Sequence, residues 1–185
     1  MEQYLRINLK LNENIETLRE AKVKTQVYIS GTIYSARDRA HKRIYDLFKS
    51  KKKIPLSFKN SIIYYMGPTP SREGYPIGSC GPTSSYRMDD YLETMLKLGV
   101  IATIGKGERQ DFTFELIKKY KSPYLITIGG AGAYLANCIV SSRVVLFSDL
   151  GTEAVRELIV KDFPVIVGID IWGSSIFQNN DINEE

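Results

Sequence analysis

The segment Gly78-Ser79-Cys80-Gly81-Pro82-Thr83-Ser84-Ser85 places small and hydroxyl residues just ahead of a helical apolar pattern. Small residues let a backbone approach a bound group, and free N–H groups at a helix start favour an anion. Thr83 and Ser84 are also ordinary N-cap types, so capping alone accounts for them. Arg87 follows Thr83 by one helical turn, which lets both side chains face one point. Arg37 follows a strand-like run and Gly31, at the opening of another helical pattern. Lys106 sits between Gly105 and Gly107 at the end of an apolar run. Three cations at such junctions suit a carboxylate clamp, since arginine binds carboxylate bidentately. Asp38, Asp89 and Asp90 offer each of them a plain ion-pair partner instead.

Other chemistries find less support. Gln110 stands where a dinucleotide fingerprint starting at Gly105 needs its third glycine. Gly105-Lys106 also lacks the Ser/Thr and upstream glycine of a phosphate-binding P-loop. His41 is the one histidine, and its place on a helical face suits packing. Cys80 and Cys138 lie far apart with no C-x-x-C, which excludes the usual thiolate metal site and a disulfide scaffold. Cys80 reads as a small buried residue. A metal site within this chain is not expected, and a reducing cytoplasm is the natural compartment.

The chain has 185 residues, of which 43% are hydrophobic and 25% charged, an ordinary globular balance. One domain over 1–185 is expected, long enough to bury a core. No run reaches 18 apolar residues, so no membrane helix is expected, and Met1-Glu2-Gln3-Tyr4 lacks a signal-peptide layout. The net charge of +4 is too small to indicate nucleic-acid binding. The basic cluster from Arg37 to Lys59 reads as a solvated helix face and loop, with an anion-facing patch as the alternative.

The elements that must position these residues follow from periodicity. Leu5, Ile7, Leu9 and Leu11 alternate as in a half-buried strand. Val23 to Ser30 is a second strand ending at Gly31, and a helix starting near Ser35 buries Ala40, Ile44, Leu47 and Phe48. Ser61–Met66 reads as a strand, Gly67–Ser85 as a long turn-rich loop, and Met88, Tyr91, Leu92 and Met95 as a helix ending at Gly99. Val100–Ile104 reads as a buried strand. Asp111 caps a helix carrying Phe112, Leu116 and Ile117. Tyr124–Ile128 and Val144–Phe147 are further strand-like runs. Val155–Val160 and Pro164–Ile169 form a closing strand pair, and the tail after Gly173 is polar and frayed. Strands alternating with helices indicate an α/β domain, and the closing pair makes the sheet mixed.

Taken together, several segments resemble the β part of the class I iron–sulfur hydro-lyases, the family of class I fumarase and L(+)-tartrate dehydratase. They are Gly31-Thr-Ile-Tyr-Ser-Ala-Arg-Asp-Arg-Ala-His41, Gly67-Pro68, Ile77-Gly-Ser-Cys-Gly-Pro-Thr-Ser-Ser-Tyr-Arg-Met-Asp89 with Tyr91, Ile104-Gly-Lys-Gly107, Gly129-Gly130 and Asp162-Phe163-Pro164. The resemblance covers about residues 27–170. It implies a swivelling β/β/α domain with a mixed sheet and flanking helices. It implies reversible hydration of fumarate to malate, or dehydration of tartrate or another hydroxy dicarboxylate. It implies a 4Fe-4S cluster held by an α subunit and not by this chain, with one iron acting as Lewis acid. A heterotetramer of two α and two β subunits is the implied assembly. Arg37, Arg87 and Lys106 match substrate-carboxylate ligands, and Thr83 matches a proposed catalytic base. A threonine hydroxyl needs nearby cations to act as alkoxide, so positioning is its alternative role. Tyr86 departs from the family, which commonly has glycine there, and this would narrow the site or turn the helix start.

A stand-alone anion-binding domain is the non-enzyme alternative, and it predicts dicarboxylate binding without a partner. The Gly67–Ser85 loop is expected to face the α subunit, since the substrate must meet the cluster there.

Overall fold

The computed structural model describes residues 4–10, 12–127 and 129–178. Its elements run β1 (Tyr4–Asn8), α1 (Asn12–Arg19), β2 (Gln26–Ser35), α2 (Asp38–Lys49), β3 (Ser61–Tyr64), α3 (Asp89–Lys97), β4 (Val100–Gly105), α4 (Phe112–Tyr120), β5 (Tyr124–Ile126), α5 (Gly132–Asn137), β6 (Ile139–Leu146) and β7 (Val155–Ile169). Short 3-10 turns lie at Ser85–Met88 and Ser148–Glu153.

The seven strands form one mixed sheet, the α/β class expected. β1 to β5 run parallel, and β7 runs antiparallel to β2, β5 and β6. Because β7 pairs with both β2 and β5, the strands β2-β3-β4-β5-β7 close on themselves, and β1 and β6 extend from that ring. Helices α3 and α4 connect successive parallel strands, as the chain direction requires. Every residue of β3 and β4 is buried, which is why both read as apolar runs without alternation. Ile62 and Tyr64 join the core on one face of the sheet with Val27, Ile29 and Leu158. Ile63 and Tyr65 join the other with Ala40 and Ile44 of α2 and Met95 of α3.

Several local expectations fail for tertiary reasons. β2 does not end at Gly31 but continues to Ser35, and α2 begins at Asp38. Gly31 adopts φ +128 at a register shift against β7, and a Cβ there would lie 2.9 Å from Leu9. The closing strand pair is one strand of 15 residues. Its turn-like centre is held by distant groups: Asp162 has φ 48, takes an ion pair from Arg6 at 2.6 Å and donates its N–H to Ser30. Pro164 lies opposite Tyr28 within this strand. Asp111 makes no side-chain cap; its own backbone is helical. Phe112 is exposed and Thr113 takes the inward place beside Ile117. The tail is attached rather than frayed as far as it is described. Ser175 bridges Ile169, and the Ile176 N–H donates to Gly168. Leu11, Ile128 and residues 179–185 lie outside the described residues.

Among the described residues no helix is long and apolar enough to cross a membrane. The basic stretch is spread over the surface, with Lys42 paired to Asp46 and Arg43 to Asp149.

His41 is buried, as packing on a helical face predicts. Its ring lies edge-on to Tyr65 at 5.3 Å and beside Tyr91 at 6.3 Å. The Arg37 carbonyl can only accept, so the proton at 2.9 Å sits on His41 Nδ1, and buried Nε2 has no partner among the described residues. Burial pushes its pKa down to about 4, against smaller upward pulls from the Arg37 carbonyl and Asp38. The unfolded chain therefore takes up this proton near pH 6.5, before the folded one does. Stability supplied by neutral His41 is present above pH 6.5 and falls away as pH drops towards 4, by about 3 kcal/mol. Urea unfolding of wild type and His41→Phe at pH 7 and pH 4 checks this. The wild type is expected to lose about 3 kcal/mol more across that range.

Candidate active site at the strand ends

The parallel strands β2 to β5 all end on one side of the sheet, where the segments that follow them gather. Two of the four residues singled out from sequence, Arg37 and Lys106, follow those ends, and Thr83 and Arg87 come to the same side with the segment bound to the β3 and β4 exits. Arg37 follows β2 and stands at the N-cap of α2, with extended backbone and no side-chain cap bond. Lys106 follows β4 directly. Gly67 follows β3, and Gly129-Gly130 stand beyond β5.

The long loop, residues 67–85, crosses this edge. Its descending arm is bound to the strand exits: Pro82 bridges Met66, the Thr83 N–H donates to the Tyr65 carbonyl at 2.8 Å, and Ser84 bridges Lys106. Thr83 is thus drawn to the junction between the β3 and β4 exits. It lies ahead of the 3-10 turn that carries Arg87, not one helical turn before it within a helix. Neither Thr83 nor Ser84 is explained by capping, since that turn has no side-chain cap bond. The Thr83 side chain is half-buried.

Asp38 joins the two arginines. Arg87 Nε lies 2.8 Å from Asp38 Oδ1, and Arg37 Nε lies 3.7 Å from Oδ2. The ion-pair partner that sequence allowed is therefore present for both, shared by one carboxylate. Arg37 lies across Gly67, where a Cβ would meet its Cδ at 2.8 Å, so glycine is required beneath it. Lys106 has no ion pair among the described residues. Its stem passes Gly129, where an added Cβ would lie 3.8 Å from Cδ. Tyr86 is exposed on the 3-10 turn, so its ring points away from the packed interior.

Beneath these residues lies a buried polar lattice that sequence reading missed. Asp89 pairs with Arg109, not with the three cations, and both side chains are fully buried. The other Asp89 oxygen accepts the Gln110 N–H at 2.8 Å. Arg109 reaches Thr103 Oγ1 at 3.3 Å and lies over the rings of Tyr124 and Tyr65. Ser85 and Tyr124, each buried, bond to one another at 2.8 Å. An arginine three residues after Lys106 and an aspartate two after Arg87 were the signals available in the chain.

Cys80 is buried as expected. Its thiol faces the Gly132 carbonyl, its own carbonyl accepts the Tyr64 hydroxyl, and burial pushes the thiol up to about 12. It is a packing residue at these values, since only a thiolate is nucleophilic or metal-binding. Among the described residues no three His, Cys, Asp or Glu side chains converge as a metal site requires.

Comparison with known proteins adds the family. A family model described as Fumarase C-terminus matches residues 1–180, beyond the 27–170 span in which sequence motifs were legible. The anaerobic class I fumarate hydratase of Escherichia coli strain K12 is 34% identical over 174 residues, covering 93% of this chain and 32% of its own. A Methanocaldococcus jannaschii protein bearing the name of an L(+)-tartrate dehydratase subunit beta is 40% identical over 167 residues, 87% of this chain and 86% of its own. Fumarate hydratase 2 of Leishmania major is 36% identical over 165 residues, 88% of this chain and 29% of its own. The chain spans about a third of the length of these fumarate hydratases.

Proposed function

Since the chain belongs to the Fumarase C-terminus family, we propose that it is the β subunit of a two-subunit hydro-lyase that adds water to fumarate to give malate, and removes it again. Its partner is an α subunit that carries the 4Fe-4S cluster, in an assembly of two α and two β subunits. The observation that supports this reading is that Arg37 and Arg87 share the Asp38 carboxylate while Lys106 is bridged by its backbone to Ser84, three residues before Arg87. The near-complete coverage of a relative named as a β subunit supports the two-subunit arrangement.

The cysteines of this chain do not suit cluster ligation, since Cys80 is buried against Gly132 and Cys138 bonds the Tyr134 carbonyl. The work of this chain is charge binding and proton handling. A dicarboxylate brings two anions, and two arginines and a lysine match them. In the dehydration direction a proton leaves the carbon next to a carboxylate. The electron pair of that C–H bond spreads onto the carboxylate oxygens. Cations already aimed at those oxygens stabilise the charge as it develops, without reorganising. Thr83 Oγ is the proton acceptor in this reading, as an alkoxide held by the same cations. Asp38 holds Arg87 and Arg37 through their Nε atoms, which leaves their Nη groups to meet an incoming carboxylate.

A second reading is favoured by the 40% identity to the tartrate dehydratase-named protein. It keeps the same residues and exchanges fumarate for tartrate or another hydroxy dicarboxylate. Anaerobic co-expression with the α subunit separates these. The complex is expected to consume fumarate, read as loss of its ultraviolet absorbance, while neither subunit does so alone. Arg87→Met in the complex is expected to lower kcat/KM by about 10²–10³. Tartrate turnover with fumarate inert establishes the second reading. A complex that turns over no dicarboxylate overturns both and leaves an anion-binding domain.

A further inference from the structure

Lys106 is a poorly constrained residue by local rules. It is flanked by Gly105 and Gly107, the latter at φ +75, and no carboxylate among the described residues holds its ammonium group. Yet a lysine that binds substrate must be aimed before substrate arrives, because misplacement by about 1 Å costs about a hundredfold. Something other than the chain's own stiffness sets its direction.

Ser85 grips the Lys106 backbone from both sides. The Lys106 N–H donates to Ser85 Oγ at 3.1 Å, and the Ser85 N–H donates to the Lys106 carbonyl at 3.0 Å. Tyr124 continues the chain, with its hydroxyl 2.8 Å from Ser85 Oγ and 2.9 Å from the Gly107 carbonyl. Only one proton arrangement satisfies all of these. The Gly107 carbonyl can only accept, so the Tyr124 proton points to it. Tyr124 Oη then accepts from Ser85, and Ser85 Oγ accepts from Lys106. The relay starts on the backbone of Lys106 and ends on that of Gly107, so it staples the turn that carries the lysine.

The surroundings are built for this contact. Ser85 and Tyr124 are both 0% exposed. A Cβ on Gly105 would stand 1.9 Å from Ser85 Oγ, so the grip requires glycine at that position. Arg109 lies over the Tyr124 ring at 4.9 Å, and Asp89 fixes the far end of the same loop through Arg109 and Gln110. Ser85 also opens the 3-10 turn that carries Arg87. One serine therefore links the backbones beneath two of the cations.

We propose that Ser85 and Tyr124 are positioning residues that aim Lys106 at the substrate carboxylate and hold it at a set spacing from Arg87. The proposal rests on the carboxylate-binding reading of Lys106. Neither hydroxyl touches the reacting atoms.

The test uses the full chain with its lysines reductively methylated with carbon-13, the Lys106 resonance being assigned by its loss in Lys106→Arg. In Tyr124→Phe the ring and its packing remain while the last link of the relay is gone. Its Lys106 resonance is expected to shift and sharpen as the ammonium group gains freedom, with the other lysines unchanged. In the complex with the α subunit, KM for the dicarboxylate is expected to rise about tenfold, with kcat changed by less than about threefold. If Tyr124→Phe fails to fold, Ser85→Ala carries the same readout, and failure of both overturns the proposal by making the pair structural. An unchanged Lys106 resonance in a folded variant also overturns it. If the wild-type complex turns over no dicarboxylate, the hydro-lyase reading fails, while the resonance still decides whether the hydroxyls hold the lysine.

Discussion

Thr83→Ala is expected to lower kcat of the α–β complex by about 10²–10⁴, the usual worth of a positioned proton acceptor, with little change in KM. The reason is structural as well as chemical. Thr83 is held by its backbone, through an N–H bond to the Tyr65 carbonyl at 2.8 Å and by the neighbouring Ser84–Lys106 bridge. Removing the hydroxyl leaves that backbone in place, so the cations keep their arrangement and substrate still binds. Thr83→Ser restores the oxygen and is expected to recover most of the rate. Exchange of the malate C–H proton with deuterated solvent gives a direct readout, because it needs the acceptor but no net turnover. Loss of exchange together with kcat assigns proton transfer to Thr83. A rise in KM with exchange intact assigns it to positioning instead.

Asp89→Ala is expected to destabilise the fold by about 3–5 kcal/mol, the largest stability effect of any single replacement considered. Asp89 and Arg109 each have 0% side-chain exposure, and among the described residues Arg109 Nη2 already lacks a hydrogen-bond partner. Without the carboxylate, the guanidinium is left buried with no counter-charge, and the Gln110 N–H loses its acceptor. For a chain of this size each kcal/mol moves Tm by about 2–4 °C, so a fall of roughly 10 °C or more is expected by calorimetry. The double replacement Asp89→Leu with Arg109→Met removes both charges and is expected to recover much of the loss. If the single variant melts like wild type, the pair is not what ties α3 to the Lys106 loop.

The resemblance and the motif order placed the fold class, and the apolar runs of β3 and β4 were legible because residues buried on both faces show it by composition. The helix α1 has no counterpart in the sequence reading, although Ile15 and Leu18 are buried along its inner side. Its polar surroundings diluted a short pattern. β7 was split in sequence because Asp162-Phe163-Pro164 has the composition of a turn. The ladder with β2 overrode that preference, with Ile29 paired to Phe163 and Tyr28 to Pro164.

The site divides in the same way. Arg37, Thr83, Arg87 and Lys106 were recognisable as junction residues from their own neighbours, since glycines, small residues and the switch from strand to helix pattern are local features. Which acid each base would face was not local. Asp38 was adjacent to Arg37 in sequence, but its closer partner is Arg87. Asp89 was two residues from Arg87, but it turns inward to Arg109. Ser85, Tyr124 and Lys106 come from three separate segments and meet only because β4 and β5 are neighbours and the long loop crosses their ends. Residue types and order determined which groups are available at the ends of strands. Only the tertiary structure decided how those groups pair, because a charge or hydroxyl takes the partner that the closed sheet brings within about 3 Å, and local sequence carries no record of that distance.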